Sequence, residues 1–173
     1  KSLKILNIGR LTAQKDQITL INTADILRKK KINFELIIMG RGVERENLIK
    51  AIKEKKLEKF IKLISFQNNP YPYIKACDLF ILSSKYEGLP NVLLEAATLK
   101  KFIISTNCPT GPREILNNGK GGLLFQNNKK NALYEKLIRQ KKMSDEEKKK
   151  MKIVSKGNSK KYSTFQHFLR LEN

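Results

Sequence analysis

The chain has 173 residues, 40% apolar and 8% aromatic, which suits one domain with a sizeable core. Lys and Arg number 36 against 16 Asp and Glu, a formal net charge of +20. No apolar run approaches the length of a membrane span, and no signal peptide opens the chain.

The elements alternate. Lys4–Ile8 reads as a buried strand, and Asp16–Lys30 as a helix with Leu20, Ala24 and Leu27 on one face. Phe34–Met39 is a second strand, ended by Gly40 and Gly42. Glu44–Lys55 is a charged helix with a stripe of Leu48, Ile49 and Ile52. Ile61–Ser65 is a third strand, and Asn68, Asn69, Pro70 and Pro72 mark a loop before a short helix at Tyr73–Ala76. Leu79–Leu82 is strand four. Pro90 fits the first position of the next helix, where its missing N–H costs nothing. Phe102–Ser105 is strand five. A short helix opened by Gly111-Pro112-Arg113-Glu114 and closed by Asn117-Asn118-Gly119 precedes strand six, Gly122–Phe125. Helices at about 130–142 and 145–157 follow, the latter with a capping box of Ser144 and Glu147. A last helix is expected over Thr164–Leu171. Alternating strands and helices predict an α/β fold: a Rossmann-like, doubly wound, six-stranded parallel sheet with helices on both faces.

Such sheets bind ligands beyond the C-terminal ends of their strands. Three motifs lie there, after strands one, two and four. Gly9-Arg10-Leu11 with Lys15 supplies two cations, and Met39-Gly40-Arg41-Gly42 is a Gly-x-Gly turn. Glu87-Gly88-Leu89-Pro90-Asn91-Val92-Leu93-Leu94-Glu95 sets two carboxylates eight residues apart, one in a loop and one in the helix it opens. A helix N-terminus suits an anionic group, and carboxylates beside it suit hydroxyls. A nucleotide sugar carries both. Two cations in a chain with 36 are easily surface decoration, and a Gly-x-Gly is as easily a plain strand-to-helix turn.

Taken in order, the three motifs resemble those of retaining glycosyltransferases of family 4, the group 1 family built on two Rossmann-like domains (GT-B). The resemblance covers about Lys4 to Phe125. It implies that residues 1–173 form the donor-binding, C-terminal half, with the acceptor domain absent from this chain. A chain that does not begin with Met and leads straight into a strand reads the same way, as a fragment or the tail end of a longer protein. Gly9, Arg10, Lys15 and Gly40 would border the diphosphate, and Arg10, Lys15 and Glu87 would carry the transfer. Gly88, Leu89, Pro90, Asn91 and Val92 would line the distal phosphate and sugar, with backbone N–H groups as donors. The resemblance gives Glu87 the sugar hydroxyls and Glu95 the ribose hydroxyls; Asn91 and Thr98 share a helix face with Glu95, and either could buttress it. Ser65-Phe66-Gln67 would lie beside the base. Thr110-Gly111-Pro112-Arg113-Glu114 departs from the family's commoner Gly-Gly-x-x-Glu and resembles enzymes that build bacterial surface glycans.

The expected donor is a UDP-sugar, and the expected acceptor a glycan or lipid-linked glycan. No cofactor is expected. A departing diphosphate held by cations and helix N-termini needs no metal, and no Asp-x-Asp pair occurs. His167, the single histidine, lies far from every motif. Cys77 and Cys108 lack metal-ligand spacing and read as free thiols of a reducing cytosol.

Residues 129–161 hold 13 Lys/Arg and 4 Asp/Glu. Solvated lysine surface is the first explanation, and an anionic membrane surface at the inner face the second. Nucleic acid is not an expected partner, because aromatics are not interleaved with the lysine runs. Two other readings stay open: a nucleotide-sugar epimerase of the same architecture, which the scarcity of histidine disfavours, and a non-enzymatic basic Rossmann-like module.

Overall fold

The computed structural model describes residues 2–127, 129 and 131–162. Its elements run β1 (Leu3–Ile8), α1 (Gln17–Lys29), β2 (Phe34–Met39), α2 (Arg45–Glu54), β3 (Ile61–Ile64), α3 (Tyr71–Ala76) and β4 (Leu79–Leu82). They continue α4 (Asn91–Thr98), β5 (Phe102–Thr106), α5 (Pro112–Ile115), β6 (Leu123–Phe125), α6 (Ala132–Lys142) and α7 (Asp145–Ser159).

All six strands pair in parallel, in the order β3-β2-β1-β4-β5-β6. Every residue of β4 and β5 is buried, as central strands with helices on both faces must be. On one face Leu20, Leu27, Leu48, Leu133 and Leu137 pack over Ile5, Leu36, Ile81 and Ile104. On the other, Ile74, Leu93 and Ala97 pack over Leu6, Met39, Phe80 and Ile103. Each fully buried Leu, Ile or Phe contributes about 1.5–3 kcal/mol.

The strand order reverses at β1. The chain builds outward through β2 and β3, returns to the other flank of β1 with β4, and builds outward again. The loops leaving β1 and β4 therefore start side by side where the strand order reverses, the usual ligand position of such sheets.

Several local expectations change. α3 starts at Tyr71, inside the expected loop, because Pro70 sits at the N-cap and the Asn69 Oδ1 accepts from the Tyr71 N–H at 3.2 Å. Pro90 is the N-cap of α4 in an extended conformation rather than its first helical residue. α6 starts at Ala132, after Asn131 in a left-handed conformation. The capping box is present: the Glu147 N–H donates to Ser144 Oγ at 3.1 Å, and the Ser144 N–H to Glu147 Oε2 at 2.7 Å. Cys77 lies just past α3, and burial pushes its thiol up to about 11. Cys108 is also buried, and both thiols are free. The helix expected over Thr164–Leu171, with His167, lies outside the described residues. Among those described, no helix is long and apolar enough to cross a membrane.

Candidate functional site

The loops after β1 and β2 extend the sheet's pairing past the strand ends. The Gly9 N–H donates to the Met39 carbonyl at 3.0 Å, the Leu11 N–H to Arg41 at 2.9 Å, and the Glu44 N–H to Leu11 at 3.0 Å. A Cβ on Gly40 would stand 1.9 Å from the Gly9 carbonyl oxygen, and one on Gly42 would stand 2.2 Å from that of Leu11. The Gly-x-Gly turn is thus required by loop-on-loop packing. Of the two sequence-based readings, a plain strand-to-helix turn or close approach to a ligand, the turn by itself accounts for both glycines.

The loops after β1 and β4 are joined as well. The Lys85 N–H donates to the Gln14 carbonyl at 2.8 Å, and Gln14 Nε2 to that of Tyr86 at 3.0 Å. Ser83 Oγ donates to the Lys15 carbonyl at 2.9 Å. These bonds bring Lys15 and Glu87, 72 positions apart, into an ion pair with Nζ to Oε1 at 2.6 Å. Ser84 Oγ donates to the same Oε1 at 2.5 Å. The pair is deep, its side chains 15% and 6% exposed. The two residues were expected to meet a ligand separately; here each is the other's partner.

The loop after β5 clasps the loop after β4 from the far side. Thr110 Oγ1 donates to the Glu87 carbonyl at 2.7 Å. Gly111 has φ of 73°, and a Cβ there would lie 1.8 Å from the Gly88 carbonyl oxygen, so neither backbone nor space admits a side chain. Arg113 Nε donates to Asn107 Oδ1 at 2.9 Å, which makes Arg113 a brace of its own loop. Gly88 is different. Its φ is not positive, and a Cβ would meet nothing within 4 Å. Neither strain nor crowding demands a glycine at this exposed turn beside Glu87.

Arg10 is exposed, and among the described residues its guanidinium has no ion-pair partner. Leu89 and Asn91 are exposed, Val92 is half-buried and Pro90 is buried. Glu95 is half-buried in α4, and its carboxylate has no hydrogen-bond partner among the described residues. Desolvation by burial raises its pKa. Thr98, offered as its buttress, instead shares a hydrogen bond with Ser159 of α7 at 3.3 Å. Asn91 makes no side-chain hydrogen bond to it either. Phe66 is 50% exposed past β3, and the Arg41 guanidinium lies 5.5 Å from its ring centroid.

The arrangement thus holds one carboxylate already neutralised by a cation, one that is unpaired, one free guanidinium and an unobstructed glycine turn. Sequence reading gave no role to Ser83, Ser84, Gln14 or Asn127, and noted Thr110 only as part of the 110–114 motif; their bonds hold the loops. The Ser84–Glu87 spacing of three residues was visible as a turn-type bond; the others join distant segments and gave no local signal.

Fold and site define a doubly wound α/β domain whose loops after β1, β4 and β5 are tied together at the switch point of the sheet. Residues 1–159 match the family described as "Glycosyl transferases group 1", and the chain belongs to that family. The match runs past Phe125 to the end of α7. An uncharacterized glycosyltransferase of Methanocaldococcus jannaschii is 43% identical over 115 residues, 66% of this chain and 28% of that protein. A Campylobacter jejuni enzyme, N-acetylgalactosamine-N,N'-diacetylbacillosaminyl-diphospho-undecaprenol 4-alpha-N-acetylgalactosaminyltransferase, is 34% identical over 133 residues, 77% of this chain and 36% of that one. The chain therefore spans about a third of the length of these relatives. Staphylococcus aureus TarM, in a crystal structure with UDP, superposes with a TM-score of 0.87 at 24% identity, over 99% of this chain and 36% of that one. This last likeness establishes the fold.

Proposed function

We propose that this chain is the nucleotide-sugar-binding half of a retaining glycosyltransferase of family 4, acting on a UDP-linked donor. One observation carries the reading: the Lys15–Glu87 pair joins the loops after β1 and β4 at the switch point of the sheet, with the open Gly88 turn next to Glu87. Arg10 and the N-terminal amides of α4 take the diphosphate, Glu87 the sugar hydroxyls and Glu95 the ribose hydroxyls. Lys15 balances Glu87 beside the diphosphate, so that a bare carboxylate does not repel it. The base lies by Phe66.

The relatives support the donor and acceptor classes. TarM and an Anabaena protein with a TM-score of 0.83 were both crystallised with UDP. The C. jejuni enzyme's name gives it a diphospho-undecaprenol-linked acceptor, and an S. aureus relative, 26% identical, is named for poly(ribitol-phosphate). A glycan or lipid-linked acceptor in bacterial surface polysaccharide synthesis follows for this chain. It is presented by a preceding acceptor domain, at the cytoplasmic face of an anionic membrane that the basic surface attracts.

The reading is tested by thermal shift against UDP, GDP, ADP and CMP. A ligand that binds only the folded state at 100-fold over its Kd adds about 2.7 kcal/mol and raises Tm. UDP should give the largest rise; no rise with any nucleotide would end the proposal. Binding should survive EDTA, because the diphosphate is assigned to cations and amides. A calorimetric affinity that collapses on chelation would refute that assignment.

A further inference from the structure

Asn127 lies in the turn after β6, at the sheet's edge, yet its side chain reaches back to the exit of β4. Nδ2 donates to the carbonyls of Ser83 at 3.0 Å and Ser84 at 2.9 Å. An amide NH2 has two protons, one for each carbonyl, so the orientation of the amide is fixed: reversed, its oxygen would face two acceptors. The pairing of β4 with β5 runs as far as Leu82 opposite Ser105. The carbonyls of Ser83 and Ser84 therefore lie beyond that ladder. Among the described residues, the only other donor to either is the thiol of Cys108, 3.5 Å from the Ser84 oxygen. Both serines are wholly buried, so water does not replace the amide.

What the serines do next makes the contact more than a loop tie. Ser83 Oγ donates to the carbonyl of Lys15 and Ser84 Oγ to the carboxylate of Glu87. One amide thus holds two successive peptide groups whose hydroxyls hold the backbone of the cation and the head of the carboxylate. If those peptide groups turn, both hydroxyls turn with them.

We propose that Asn127 is a positioning residue of the donor site: acting through Ser83 and Ser84, it sets the place of Lys15 and Glu87 and so tunes recognition of the sugar end of the donor. The ligand in this statement rests on the donor-binding reading above; the coupling rests on the hydrogen bonds alone.

Two measurements separate those supports. In the ligand-free protein, reductive methylation of Lys15 is followed by mass spectrometry, with exposed Lys150 as the internal standard. The buried pair should keep Lys15 slow, and Asn127→Ala should speed its labelling several-fold relative to Lys150. Asn127→Asp, of the same size but with an acceptor-only carboxylate in place of the donating amide, should do the same if Asn127→Ala does not fold. Unchanged labelling of Lys15 in a folded variant overturns the coupling, whatever the ligand. In the second measurement a UDP-sugar is titrated into the unaltered protein, Asn127→Ala, Ser83→Ala/Ser84→Ala and the triple variant. Asn127→Ala should weaken binding about tenfold, as loss of a hydrogen-bonded contact does, but should add less than twofold in the double-serine background. Additive losses would mean that Asn127 does not act through the serines, and would overturn the proposal. An unaltered protein that binds no UDP-sugar refutes the donor reading, and the labelling still decides the coupling.

Discussion

Glu87 and Glu95 stand eight residues apart in one segment, yet the fold treats them in opposite ways. Glu87 is 6% exposed, paired with Lys15 and hydrogen-bonded to Ser84. Glu95 is half-buried on α4 with no partner among the described residues, and burial raises its pKa. A carboxylate with partners is positioned before any ligand arrives. One without partners bears a desolvation cost that only a ligand's hydroxyls relieve. The segment thus joins a rigid end to an unsatisfied end, and the two should fail differently when altered.

The largest effect should come from the rigid end. Lys15→Met leaves the Glu87 carboxylate buried with a single hydroxyl donor. Breaking a buried pair in this way costs about 3–5 kcal/mol, read as a large drop in the denaturation midpoint. A loss below 1 kcal/mol would mean that the pair is solvated and the comparison with Glu95 empty. At the unsatisfied end, Glu95→Ala should remove a charged hydrogen bond of about 1.5–3 kcal/mol, roughly tenfold or more, from both the nucleotide sugar and the bare nucleoside diphosphate. Its ligand-free melting temperature should not fall, because the lost group was unpaired. Reduced stability with unchanged binding would reverse the assignment.

Glu87→Gln sharpens the contrast further. It keeps the shape of the side chain, loses the charge and frees Lys15. Calorimetry should show weaker binding of the nucleotide sugar and equal or tighter binding of the bare diphosphate, by a few-fold. Equal losses on both ligands would show that Glu87 and Glu95 do the same work. The smallest effect is in the pH profile. A carboxyl whose folded pKa is raised binds more protons in the folded than in the unfolded state across the interval between the two pKa values. Stability of the ligand-free protein should therefore fall slightly as pH rises through that interval, just above the ordinary glutamate range. Donor affinity, which needs the ionised form, should rise over the same interval. Glu95→Gln should flatten both curves; a slope that persists belongs to another group.

Much of this was written in the residues themselves. Apolar runs such as Leu79–Leu82, alternating with amphipathic helices, dictated a parallel α/β sheet, because a strand buried on both faces and a helix buried on one carry different periods. The capping box of Ser144 and Glu147 was equally legible, since its partners are three residues apart. The three loop motifs marked the strand ends where a ligand belongs. What those motifs do to one another was not legible. Gly40 and Gly42 read equally as a plain turn or as room for a ligand until the packing of Gly9 and Leu11 against them accounted for both. Lys15 and Glu87 read as two separate contacts until the β1 and β4 loops met, and Thr98 read as a buttress until α7 claimed it. Local pattern determines which elements form, because their hydrogen bonds and periods are short-range. Only the tertiary structure decides which polar groups satisfy each other and which are left for a ligand, because those partners lie tens of residues apart and meet only once the sheet has ordered its strands.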